Sequence, residues 1–255
     1  MWYNQHEFDI RCEWGLKGVE ILGPISDVII IVDILSFTTS VEIATSRGAQ
    51  VYPFESWNET AINFARDHNA KLATEDRHDN SGYSLSPQSL TSIAYGDKLV
   101  LPSPNGSMLS RATGGTPTIA ACLRNCSAVA QHALQYGDKI SVIPAGEKWK
   151  DGAFRPSWED WIGAGAVIYH LMGNLLLSPE SESAVAAFLA VKSHIAKYMA
   201  KCVSGQELIY RDLGTDLVLA SEYNISECVP KMENDAYRDI YFEDTYAADR
   251  LDNLG

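Results

Sequence analysis

Between Val28 and Asp33 the chain reads VIIIVD, apolar at every position until a carboxylate closes the run. Continuous rather than alternating apolar residues predict a strand buried on both faces, as inside a parallel sheet. The following TTSVEIATSRG predicts a helix stopped by Gly48, and QVYPFE predicts the next strand. WNETAINFARDH sets Trp57, Ala61, Phe64 and His68 at helical spacing; KLATE predicts a short strand, and DRHDNSGYSLSPQS a long polar loop. YGDKLVLPSPNG and YGDKISVIPAGE repeat one turn, strand and loop from Tyr95 and Tyr136, with NCSAVAQHAL as a helix before the second. Two copies do not make a solenoid; they predict one strand–helix solution used twice, in a mostly parallel sheet with helices on its faces.

From Ser157 the pattern becomes helical. PSWEDWIGAGAVIYHL puts Trp158, Trp161, Ile162, Gly165 and Ile168 on one face, and SESAVAAFLAVKSHIAKYMA predicts one long helix from Ser181 to Ala200. GQELIYRDLGTDLVLASEY predicts a helix broken at Gly214. With no linker between the halves, the expectation is a single α/β domain over residues 1–255 with a helical C-terminal portion, with two lobes of about 1–120 and 121–255 as the finer division. Trp158, Trp161, Tyr237, Tyr241 and Tyr246 are candidates for a homo-oligomer interface, and equally for ordinary core or a loosely held end.

Charge narrows the function classes. Twenty Lys and Arg stand against 33 Asp and Glu, a net charge of −13 over 255 residues. Nucleic acids and anionic membranes need a cationic surface, so neither is an expected partner. A composition 46% hydrophobic and 21% charged excludes global disorder. The opening MWYNQHEFDIRCEWG has no basic-then-apolar pattern, and the longest apolar run is too short to span a membrane. Cys12, Cys122, Cys126, Cys202 and Cys228 have no metal-ligand spacing and read as free thiols, so a cytoplasmic location is expected.

Ligands of parallel sheets bind beyond the C-terminal strand ends. Four strand ends here deliver polar residues: Asp33, Glu75, Asn105–Gly106–Ser107 and Glu147. Asp33 is followed by Ser36, Thr38 and Thr39 at a helix start, an arrangement suited to phosphate with Mg²⁺ and equally to plain helix capping. Arg77 follows Glu75 beside His78 in the polar loop. Lys148, Lys150 and Arg155 cluster after Glu147, either as a local anion trap or as solvated surface. Asp160 stands three residues after Ser157, the spacing of a capping box. No Walker loop, no GxSxG elbow and no DxD pair is present, the last position being Leu35.

Taken in order, these stretches resemble the 2-phosphosulfolactate phosphatase family. The family's DVLRATTT is similar to DILSFTTS, its GERGG and GNSP loop to TEDRH and YSLSPQSL, and its TTNGT to SPNGS. NASAVA resembles NCSAVA, the PAG-acid loop and CAGAI resemble IPAGE and IGAGAVI, and EEDVEFCAxxDISDVVP resembles GTDLVLASEYNISECVP. The resemblance runs from about Asp27 to Pro230 and implies a three-layer α/β/α fold distinct from the common phosphatase folds. It implies Mg²⁺-dependent hydrolysis of a phosphate ester on a small sulfonated acid. Carried onto this chain, it points to Asp33, Thr38, Thr39, Glu75, Arg77, Asn105, Gly106, Ser107, Glu147 and Asp160.

Combining both lines, the catalytic candidates are Asp33, Glu75, Arg77 and Glu147. The Mg²⁺ ligand candidates are Asp33, Glu75, Glu147 and Asp160. The residues expected to contact a small anionic phosphorylated metabolite are Ser36, Thr38, Thr39, Asn105, Gly106, Ser107, Lys148 and Arg155. The family's first-motif Arg is Ser36 here, with Phe37 beside it, which removes a charge-assisted contact. The expectations are therefore a shifted substrate, with Lys148 or Arg155 replacing the charge, or a non-catalytic relative that binds an anionic metabolite.

Overall fold

A computed structural model describes residues 2–79 and 81–242; Tyr246 lies outside the described residues. In chain order the elements are β1 (Ile10–Cys12), α1 (Gly15–Leu22), β2 (Val28–Val32), α2 (Phe37–Thr45), β3 (Gln50–Phe54), α3 (Glu59–Asp67), β4 (Lys71–Leu72), β5 (Lys98–Pro102), α4 (Gly106–Arg111), β6 (Thr118–Ala121) and α5 (Cys126–Ala133). There follow β7 (Ile140–Pro144), β8 (Glu147–Lys148), β9 (Phe154–Arg155), α6 (Trp158–Leu171), α7 (Pro179–Val191), α8 (Ile195–Met199), α9 (Val203–Tyr210), α10 (Gly214–Ser221), β10 (Pro230–Glu233) and β11 (Ala236–Asp239).

Nine strands form one mostly parallel sheet in the order β1-β7-β2-β6-β10-β11-β3-β5-β4, with β10 and β11 inserted antiparallel. Helices cover both faces, giving the three-layer α/β arrangement that the pattern predicts. β2 shows why its run is apolar throughout. Val28, Ile30 and Val32 enter the core under α5, α6 and α7, while Ile29 and Ile31 pack with Val19, Leu22 and Leu109 on the opposite side. β3 and β5 divide similarly, with Val51, Leu99 and Leu101 facing α2, and Tyr52, Phe54 and Val100 facing α3.

α2 is buried along all nine of its residues despite being rich in hydroxyls. Those hydroxyls donate to nearby carbonyls: Thr38 Oγ1 to Asp33 O and Thr39 Oγ1 to Ile34 O, both at 2.8 Å, and Ser40 Oγ to Leu85 O at 2.9 Å. Local satisfaction of this kind lets a polar helix enter a core.

Several sequence expectations change. The helix expected over 181–200 is interrupted at Lys192–His194 by a tighter turn, which sets the Lys192 ammonium 4.4 Å from the Tyr169 ring centre. The break before α10 falls at Asp212, whose φ of 55° ends α9, and Gly214 opens the next helix. Tyr237 is not a loose end: it is fully buried in β11, and its hydroxyl donates to Ser110 Oγ at 2.7 Å. Trp161 stacks on Trp14 and Trp158 on Tyr198 within the chain. The five cysteines are free. Among the described residues no helix is long and apolar enough to cross a membrane.

Candidate active site

Asp33 follows β2 directly and is the hub of the strand-end loops. Its Oδ1 accepts from Phe37 N at 3.3 Å, in the first turn of α2, and its Oδ2 accepts from Gly106 N at 2.8 Å, in the first turn of α4. One carboxylate therefore joins the loops after β2 and β5, strands separated in the sheet by β6, β10, β11 and β3. Position 106 must be glycine for this approach. A Cβ there would lie 2.7 Å from Asp33 Oδ2 and overlap the Phe37 ring.

Asp160, in the first turn of α6, repeats the arrangement. Its Oδ1 accepts from Ile34 N at 2.8 Å and its Oδ2 from Gly146 N at 2.9 Å. These amides belong to the residue after Asp33 and the residue before Glu147, so α6 sets the spacing of the loops that carry both acids. This overturns the capping-box expectation. Ser157 makes no side-chain cap, its buried Oγ has no hydrogen-bond partner among the described residues, and the Asp160 carboxylate is directed across to the sheet edge.

Charge accumulates here. Burial, then the negative charge of Glu147, push the Asp33 carboxyl up to about 7, against the two amide donors and Arg77. Burial, then Asp33 and Glu159, push Asp160 well above the carboxylate range. Arg77 reaches in from the polar loop and donates Nη1 to Ser36 Oγ at 3.0 Å. Ser36 thus does not cap α2. A guanidinium from another loop meets the very position where the resembled motif carries its own Arg.

The other candidates occupy distinct places. Glu147 is half-buried in a small hairpin of β8 and β9, whose cations stand apart from it: Lys148 and Lys150 are exposed, and the Arg155 guanidinium lies 5.6 Å from the Trp149 ring centre. Thr38 and Thr39 are fully buried and turned to backbone carbonyls, as is Ser107, which donates to Leu101 O at 3.0 Å. Asn105 is half-buried at the start of α4 without capping it. Glu75 is exposed after β4, one bend away from Arg77, and His78 is also exposed. Sequence reasoning missed Glu159 and Asp216. The first is buried against the Cys202 thiol, and the second is buried beside Arg77.

Among the described residues no group of three His, Cys, Asp or Glu side chains is placed to hold a metal ion. The donor chemistry nevertheless suits Mg²⁺, which takes hard oxygens and commonly rests on one or two carboxylates completed by water and substrate phosphate. Asp33 and Glu147 are the candidates for such a pair. Their repulsion is the imbalance that a divalent ion relieves.

The family model described as 2-phosphosulpholactate phosphatase matches residues 20–235, a span that includes every strand-end loop described above. No curated protein matches the chain. The match covers most of the sequence, and the chain belongs to the 2-phosphosulpholactate phosphatase family.

Proposed function

We propose that this chain hydrolyses the phosphate monoester of a small phosphorylated carboxylic acid, 2-phosphosulfolactate or a close relative, with Mg²⁺ as cofactor. The observation that carries this reading is the convergence of strand-end loops at one edge of a parallel sheet, where Gly106 N donates to Asp33, Arg77 donates to Ser36 and Asp160 accepts from Gly146 beside Glu147. Asp33 and Glu147 would hold the ion. When bound, it supplies a Lewis acid that polarises the phosphoryl group and lowers the pKa of water. The chain's own groups do the rest. The N–H donors of Arg77 meet phosphate oxygens and offset the charge that builds in the transition state. Phe37 N and Gly106 N fix the Asp33 carboxylate and so its orientation toward the ion. Asp160 keeps the two acid-bearing loops at fixed spacing.

The substrate's non-reacting end meets a site that lacks the first-motif guanidinium. Arg77, held by Ser36, serves the phosphate and does not replace that charge. One guanidinium where the resembled motifs place two favours a close relative with fewer anionic groups than the carboxylate and sulfonate that 2-phosphosulfolactate carries besides its phosphate. The test is phosphate release from a panel of phosphorylated two- and three-carbon acids, sulfonated and not, with and without Mg²⁺. Metal-dependent turnover of at least one member is expected, and turnover of none overturns the enzyme reading. Trapping with labelled substrate separates a phosphorylated Asp33 from one that remains unmodified throughout.

A further inference from the structure

Arg77 is held at one nitrogen by Ser36, yet a second charge bears on it more strongly than Asp33 or Glu147 does. Burial lowers the Arg77 pKa, and the largest opposing influence is Asp216, followed among the acids by Asp33 and Glu147; Arg211 acts with burial. Asp216 stands in the first turn of α10 and is buried. Its carboxylate is only half used. Oδ1 accepts from Ser86 Oγ at 2.5 Å and from Gln88 N at 3.1 Å, whereas Oδ2 is buried with no hydrogen-bond partner among the described residues. A buried carboxylate oxygen without a donor costs stability unless a charge compensates it. Asp216 and Arg77 line one cavity of about 800 Å³, together with His78, Tyr83, Ser86 and Gln88.

We infer that Asp216 is a positioning residue for Arg77: its carboxylate, with Oδ2 unpartnered, holds the guanidinium by charge from the wall of their shared cavity while Ser36 fixes one nitrogen, leaving the remaining N–H donors for a phosphate. Ser86 and Gln88 orient the carboxylate, so the 3₁₀ turn at Pro87–Ser92 and the start of α10 act on the reacting end through Arg77. The inference rests on the proposed function only for the identity of the anion.

Asp216→Asn removes the charge while its remaining side-chain oxygen can still accept from Ser86 and Gln88. Calorimetric titration of the full chain with inorganic phosphate compares wild type, Asp216→Asn, Arg77→Ala and the double variant. Asp216→Asn is expected to weaken phosphate binding about tenfold, Arg77→Ala more, and the double variant no more than Arg77→Ala alone. Three results overturn the inference: wild-type affinity in Asp216→Asn, losses that add fully, or no phosphate binding by wild type. Coupled phosphate binding without hydrolysis of any ester sinks the phosphatase reading alone.

Discussion

Two buried charge clusters of this molecule are built on opposite terms. Behind the sheet edge, Arg124 donates Nε to Glu42 Oε2 at 2.5 Å and Nη1 to Glu222, tying α2, the loop after β6 and the end of α10 together. There a guanidinium stands between two acids and both contacts are direct. At the strand ends, Asp216, Asp33 and Glu147 act on the guanidinium of Arg77, Asp160 and Glu159 stand on the far side of Asp33, and the donors that reach Asp33 and Asp160 are backbone amides. Amides orient a carboxylate without cancelling its charge. The first, closed cluster pairs its guanidinium directly with both acids and braces the fold; the second, open one crowds its acids without direct cationic contact, the arrangement that the proposed cation and phosphate would balance.

Breaking the closed cluster should give the largest structural effect. Arg124→Met leaves Glu42 charged and buried, and is expected to cost about 3–5 kcal/mol in denaturant unfolding. Gly106→Ala attacks the open cluster through sterics alone, since a methyl group there meets Asp33 and Phe37. A stability loss of about 2 kcal/mol is expected, with a clear fall in phosphate release. Ser36→Arg sharpens the comparison by adding a second guanidinium to the open side. It should raise kcat/KM for a sulfonated ester about tenfold relative to its unsulfonated analogue, and an unchanged ratio would show that position 36 does not set specificity.

The smallest effect concerns pH. Glu147→Gln removes a charge that raises the Asp33 pKa, so Asp33 should titrate about one unit lower by carboxyl NMR. The folded pKa of Asp33 is raised, so the folded state holds its proton longer than the unfolded state. Ionising Asp33 therefore costs stability as pH climbs from about 4 to 7. Glu147→Gln should lessen that cost, gaining about 1 kcal/mol on wild type across the same window. A pKa for Asp33 that does not move would separate the two acids.

What could be read from the sequence followed the physics of each segment. The unbroken VIIIV announced a two-faced strand, and the polar residues closing β2, β5 and β7 announced the binding edge. β1, β10 and β11 escaped because they are three or four residues long, with Arg11, Lys231 and Arg238 interrupting the apolar pattern. Asp160 has capping-box spacing, and no sequence rule says that its carboxylate bridges two distant loops. Asp216 stands where the resembled EEDVEFCA motif has its Asp, but helical character hid its role, which its burial beside Arg77 reveals. Local pattern thus revealed where the chain delivers acids, but not which amide or guanidinium meets them across the sheet.

The most direct test is kcat/KM for Mg²⁺-dependent phosphate release, measured on Asp33→Asn and Arg124→Met in parallel at a temperature where both remain folded. The expected result is a loss of about 10³-fold or more for Asp33→Asn and near wild-type turnover for Arg124→Met. Near wild-type turnover by Asp33→Asn, or an equal loss in both variants, would contradict the assignment of chemistry to the open cluster.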